Sequence, residues 1–510
     1  FPKERPPGNL SLILARYNLA NIKITVYPTS CLTLLTLLLY VPAMASDKYA
    51  QCYEGLPFET RAVNAPSIPS LTVLLADYGG KGDGITLNTE SFRTAIADLS
   101  ARGGGHLIVG PGVWLTGPFE LKSNIDLHIE KDAIILFSPD KSLYPILPAD
   151  EGTASALCTP PISASHQSNF SITGLGIIDG NGEAWRPVKR FKVSDAEWTK
   201  FKRLGLKEVQ EGKSTVWYPT LGNADGEITT KRPRLIRFIG CSDFMIQGVV
   251  VQNSPSFHVN IILCRDFILD SVMVRCPWNA QNGDGIDLSS CRNALITGCS
   301  VDAGDDAICM KSGIGDTGRR RGPTSDIVID GCTVFHGHGG FVIGSDTGGG
   351  MNNIAVRRCR FIDTDTGLRF KSGRDRGGKV SNIWVDDIVM CDIADEAILF
   401  DCYYQEKVGD AEGVKPEPVT ADTPIFSHIK INNIICTDAG RAIVIKGLPE
   451  SRVSDITVSN ASIKSRRGAV INHAAGITLE NLTLQIESGA PVSSTGSTDI
   501  QENNVKIIAK

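Results

Sequence analysis

In the C-terminal half of the chain, short runs of alternating apolar and polar residues follow one another in a common register. They read SDFMIQGVVV, RDFILDSVMV, RNALITGCSV, SDIVIDGCTV, NNIAVRRCRF, SNIWVDDIVM, SHIKINNIIC, SDITVSNASI and AGITLENLTL. Their first apolar anchors are Phe244, Phe267, Ala294, Ile327, Ile354, Ile383, Ile429, Ile456 and Ile477, mostly 21 to 33 residues apart; the longer step from Ile383 to Ile429 carries an insertion. A period of two with many β-branched residues predicts strands rather than helices. One such run cannot bury its apolar face alone, but a stack of them can. The expected fold is all-β: a right-handed, single-stranded parallel β-helix. The segments SNIDLHI (123–129) and SNFSITGLGIIDGNG (168–182) extend the pattern upstream. A (β/α) barrel is the main competitor, and the long helical segments it needs between strands are missing.

Three stretches break the rhythm. NTESFRTAIADLSARGGG (88–105) has helical spacing, with Asn88 as N-cap, Phe92, Ile96 and Leu99 on one face and Gly103 as terminator. It is expected to cap the open end of the solenoid, where bare strand edges invite association. Residues 185–232, rich in Lys, Arg and Trp, and 403–424, with several prolines, read as loops inserted between coils, able to build cleft walls. At the N-terminus, CLTLLTLLLYVPAMA (31–45) has the form of a secretory signal with cleavage after Ala45. The expected division is a leader over 1–45 and one β-helix domain over 46–510, secreted or periplasmic, without stable membrane insertion.

A net charge of −5 excludes a global basic field for nucleic acid, so an anionic ligand needs a local cationic site. The 14 cysteines would suggest disulfides in a secreted chain. Many of them, however, recur beside the repeats, as Cys241, Cys264, Cys291, Cys332 and Cys359 do, and read as free thiols stacked in the core.

The candidate chemistry sits in NGDGIDLSSCRNALITGCSVDAGDDAICMKSG (282–313), which contains the adjacent pair Asp305–Asp306. Aligning GIDLSS (285–290), AICMKS (307–312), GFVIGS (340–345) and GLRFKS (367–372) puts Ile286, Ile308, Phe341 and Leu368 in one inward column. Leu288, Met310, Ile343 and Phe370 form another, with the residues between pointing outward. Asp284 then lies beside Asp306 on the next coil, and Asp305 beside His338 on the coil after, with Arg369 and Lys371 on the following one. Three carboxylates near a histidine are suited to glycosidic hydrolysis: Asp284 and Asp306 would activate a water, and Asp305 would protonate the leaving oxygen. Crowding of like charges should raise at least one pKa. Arg369 and Lys371 can grip a carboxylate, so the sugar is expected to be a uronic acid. Asp287 is expected to bond neighbouring backbone in support, and His258 and His336 to be structural or peripheral. Singly, each of these features has an ordinary reading as turn chemistry or solvated surface; the shared line carries the inference.

These residues resemble the polygalacturonase family, glycoside hydrolase family 28. Its four blocks have counterparts here in Asn282-Gly283-Asp284, Gly304-Asp305-Asp306, Gly337-His338-Gly339 and Arg369-Phe370-Lys371, and 77–96 and 176–185 resemble its N-terminal blocks. Gly283 and Phe370 depart from the family pattern at non-catalytic positions. The resemblance implies inverting hydrolysis of α-1,4 bonds between galacturonic acids in pectin. It implies Asp305 as acid, Asp284 and Asp306 as water activators, His338 in support, and Asn282, Arg369 and Lys371 on the substrate. It implies no metal and no cofactor. The extended N-terminal block, the 185–232 insertion and GSDTGGGMNN resemble exo-acting members. Alternatives are a rhamnogalacturonan or xylogalacturonan hydrolase, a calcium-dependent pectate lyase, and a non-catalytic carbohydrate-binding solenoid. The oligomeric state is open.

Overall fold

The computed structural model describes residues 48–204, 208–212, 214–219, 232–404, 406, 408 and 413–509. The proposed leader lies outside the described residues. From Thr72 onward, 32 strands form one continuous winding in which every pairing is parallel. This is the right-handed parallel β-helix expected from the repeats. Each anchor pairs with the next in register: Phe244 with Phe267, Phe267 with Ala294, Ala294 with Ile327, and onward through Ile354, Ile383, Ile429 and Ile456 to Ile477. All nine are buried. The residue before each anchor turns the chain in the left-handed region, at φ 54° for Asp243, 56° for Asp266, 51° for Asn293 and 59° for Asp326. Asn and Asp tolerate that region better than other side-chain-bearing residues, which accounts for the recurring Asn or Asp at the head of each run.

The expected helix is present at Thr89–Ala101 and buries Phe92, Ala95, Ile96 and Leu99. Asn88 stands at the N-cap position as expected, but its side chain makes no capping hydrogen bond. Its amide instead bonds the carbonyls of Lys81, Thr86 and Leu115, joining the preceding loop to the first coils. The described cysteines are free thiols, all buried except the half-buried Cys391. The described part of the 185–232 insertion is more than a loop. It holds a helix, Asp195–Arg203, with a reciprocal Ser194–Glu197 cap, and a three-stranded antiparallel sheet. One element had no periodic signature: residues 49–70 run as a strap along the outside of the stack. Tyr49 donates to Asp270 at 3.0 Å, Arg61 pairs with Asp266 at 2.5 Å, and Phe58 stacks on Trp384 at 5.3 Å.

Candidate active site

Six parallel strands carry the site: β1 (Ile236–Ile239), β2 (Val259–Ile262), β3 (Ile286–Ser289), β4 (Asp306–Lys311), β5 (Gly339–Ile343) and β6 (Leu368–Lys371). Ile286, Ile308, Phe341 and Leu368 pair successively, as do Leu288, Met310, Ile343 and Phe370. This registration brings Asp284, Asp305 and Asp306 together, each offering an oxygen within 4.8 Å of the others. His338 Nδ1 lies 3.1 Å from Asp305 Oδ1. Gly283 is required where it stands: a Cβ there would meet Cys276 Sγ at 2.7 Å.

The line is less exposed than alternation alone predicts. Asp284 and Asp306 are each 3% exposed, Asp287 is fully buried and Lys371 is 5% exposed. Such burial is tolerable only if the charges are paired. Lys371 Nζ donates to Asp306 Oδ2 at 2.6 Å, and Arg369 Nη1 approaches Asp306 Oδ1 at 3.4 Å. The expected outward clamp is thus engaged within the protein: the Lys371 ammonium is held by Asp306, and Arg369 is the more open of the two cations. Lys311, which the sequence reading used only for alignment, is the other central cation. Its ammonium bonds Asp284 Oδ2 at 3.0 Å, forms a closer contact with Asp287 Oδ1 and sits 4.4 Å from the centre of the Phe257 ring. One signal could have found it: Lys311 follows Met310 as Lys371 follows Phe370, in the same outward column. Asp287 therefore supports the site by holding Lys311 rather than by bonding backbone.

The protonation pattern follows from this pairing. Burial pushes the Asp284 carboxyl well above its usual range, against the pull of Lys311, and neighbouring carboxylates add to the rise. Burial likewise raises Asp287. Asp305 is also pushed up by burial, but the hydrogen bond and charge of His338, with Lys371 and Lys311, outweigh it and hold the carboxyl below its ordinary value. The same hydrogen bond raises His338. The crowding effect thus falls on Asp284 and not on Asp305. Four carboxyls (Asp284, Asp287, Asp305 and Asp306) face three fixed cations (Lys311, Arg369 and Lys371), so one further proton, on His338 or a carboxyl, makes the cluster neutral. The three aspartates are close enough to surround a cation. Lys311 and Lys371 already supply positive charge to Asp284 and Asp306 at hydrogen-bond distance, which makes the donor set a poor fit for calcium.

Other predicted residues fall around this centre. His258 is fully buried, bonds the Asp284 carbonyl at 2.9 Å and is lowered to about 4 by burial, so it is a neutral structural residue. His336 bridges Asp302 and Asp363 away from the trio. Asn282 accepts from Arg232 at 2.8 Å. Lys192, from the insertion, is near enough to Asp305 and Asp365 to feel both charges.

A β-helix with this buried acidic centre defines a glycoside hydrolase. The model of "Glycosyl hydrolases family 28" matches residues 192–478, and the chain belongs to that family. It is 27% identical to a probable polygalacturonase of Vitis vinifera over 87% of this chain and 85% of that one. It is also 27% identical to an endo-polygalacturonase of Pectobacterium carotovorum subsp. carotovorum, over 80% of this chain and 90% of the relative. Among solved structures, an exopolygalacturonase from Thermotoga maritima superposes with a TM-score of 0.68 at 30% identity, covering 83% of this chain and 94% of that one.

Proposed function

We propose that the protein is a secreted or periplasmic polygalacturonase that removes galacturonic acid from chain ends. The observation that carries the chemistry is the Asp284–Asp305–Asp306 cluster with His338 on Asp305. The leaving oxygen is protonated through Asp305, which is ionised in the free enzyme and takes its proton from the His338 imidazolium it contacts. Asp284 and Asp306 hold the attacking water. Lys311 and Lys371 fix those two carboxylates, and Arg369 offers a guanidinium to the substrate carboxylate. The 30% identity to an exopolygalacturonase and the helix and small sheet in the described part of the 185–232 insertion support exo action. Product identification after digestion of polygalacturonic acid tests the reading. Galacturonic acid alone is the expected result; an oligomer ladder would mean endo action, and an unsaturated product absorbing in the ultraviolet would mean a lyase.

The resemblance implies inversion at the anomeric carbon. The anomer formed first, read by proton NMR within the first minutes of hydrolysis, tests it: the inverted anomer is expected, and the retained one would overturn the water-activating role of Asp284 and Asp306.

A further inference from the structure

His338 faces carboxylates from both ring nitrogens. Nδ1 lies 3.1 Å from Asp305 Oδ1, and Nε2 lies 3.9 Å from Asp365 Oδ2. The three residues stand just ahead of β4, β5 and β6, so the imidazole is held between the preceding coil and the following one. Backbone fixes the stack. The His338 N–H donates to the Asp305 carbonyl at 2.8 Å, the Asp365 N–H to the Gly337 carbonyl at 2.9 Å, and the Asp395 N–H to the Asp365 carbonyl at 2.8 Å. Gly337 permits the first approach, since a Cβ there would meet the Asp305 carbonyl oxygen at 2.8 Å. Asp365 stands between Thr364 and Thr366, both buried, yet its own side chain is 53% exposed. Among the described residues His338 is its only ion-pair partner.

The other charges around the ring are engaged elsewhere. Asp306 is held by Lys371 and approached by Arg369, which also donates to the His338 carbonyl at 3.3 Å. Lys192 of the insertion is near enough to Asp305 and Asp365 to feel both, and Asp395 adds a further acid beside Asp365. Two residues earlier on the same coils, His336 is sandwiched in the same way, 3.0 Å from Asp302 and 3.4 Å from Asp363, away from the reacting acids. Bridging coils is therefore one use of such a histidine, and the chemistry at Asp305 gives His338 a second. When its Nδ1–H bond breaks and the proton passes to Asp305, the imidazole is left neutral with its remaining proton on Nε2. A carboxylate facing Nε2 favours that tautomer. The opposite tautomer keeps its proton on Nδ1 and leaves Asp305 ionised.

We infer that Asp365 is a positioning residue for the acid step: it holds the Nε2 proton of His338, so that the Nδ1 proton is the one given to Asp305. The inference rests on the hydrolytic reading above and deepens it. Asp365→Asn removes the charge and keeps the size. It should lower kcat about tenfold and move the alkaline limb of the kcat/KM profile toward lower pH by about half a unit or more, because the imidazolium loses a facing negative charge. Asp365→Glu should restore both. Asp363→Asn, the matching change beside His336, should leave the limb in place. In enzyme carrying isotope-labelled histidine, long-range proton–nitrogen correlation spectra at alkaline pH should show His338 as the Nε2–H tautomer in wild type and shifted toward Nδ1–H in Asp365→Asn. The signal is assigned by its loss in His338→Gln. An unmoved limb with an unchanged tautomer in Asp365→Asn, or an equal shift in Asp363→Asn, overturns the inference. Failure of wild type to hydrolyse polygalacturonate overturns the hydrolytic reading instead, and the spectra, which need no turnover, still decide whether Asp365 sets the tautomer.

Discussion

At the residue scale, the site is a charge-balanced cluster whose members constrain one another. Asp305→Asn keeps shape but removes the proton donor, and should reduce turnover by about 10²–10⁴-fold with the unfolding temperature nearly unchanged. His338 sets the pH range. Its folded pKa is raised, so the Asp305–His338 contact stabilises fully below the ordinary imidazole value and is lost as pH rises through the raised one. Asp305 is lowered, so its share is present above the ordinary carboxyl value and disappears as pH falls through the lowered one. Activity should therefore decline on the alkaline side with imidazole titration. His338→Gln should remove that limb from the kcat/KM profile; a profile that keeps it would assign the limb to another group. Lys311 makes a different prediction. Lys311→Met leaves Asp284 and Asp287 buried without their cation, at a cost of about 3–5 kcal/mol. A thermal scan should show the loss, and adding Asp287→Leu should recover part of it, since one orphaned carboxyl is then gone. The three aspartates were legible in the sequence because strand register alone brings them together. The engagement of Lys371 by Asp306 was not, because it depends on how deeply the coils bury the line and on which acid each cation reaches.

At the element scale, legibility followed periodicity. Every anchor from Phe244 to Ile477 could be placed because an Asn, Asp, His or Gly turn precedes it and a one-residue slip would turn the apolar set outward. The strap over 49–70 and the loop 148–156 have no period, and their positions depend on single long-range contacts such as Arg61–Asp266 and Arg237–Asp150. The helix at Asp195–Arg203 had a local signal, Ser194 with Glu197 three residues later, which the overall basicity of the insertion obscured. The strap offers an element-level test. Arg357 donates to the carbonyl of Glu54 at 2.7 Å and contacts those of Gln51 and Cys52, tying the start of the strap to a central coil. Arg357→Ala should lower the unfolding temperature by a few degrees, at about 1–3 kcal/mol for the lost charged hydrogen bonds. It should also expose the 49–61 segment to limited proteolysis while leaving kcat unchanged, because the strap lies on the side away from the trio.

At the scale of the whole molecule, charge placement gives a salt effect of unusual sign. The chain carries a net −5, and residues 46–510 alone carry −8, yet the proposed substrate is a polyanion. The cations that would meet it, Arg369 and Lys192, are at least partly desolvated within the cleft, where salt screens them little. The repulsion between the acidic exterior and a long anionic chain acts through solvent over distances near the Debye length of about 10 Å at 0.1 M salt, and is screened readily. Raising salt from about 20 to 200 mM should therefore increase kcat/KM on polygalacturonate. It should change kcat/KM on trigalacturonate much less, because the short chain lies almost wholly inside the cleft. An enzyme that drew its polymer with a broad basic surface would show the opposite, a steep fall with salt. Initial rates on the two substrates across that range separate the cases: a fall on the polymer would mean that exposed cations, and not the buried ones described here, dominate capture.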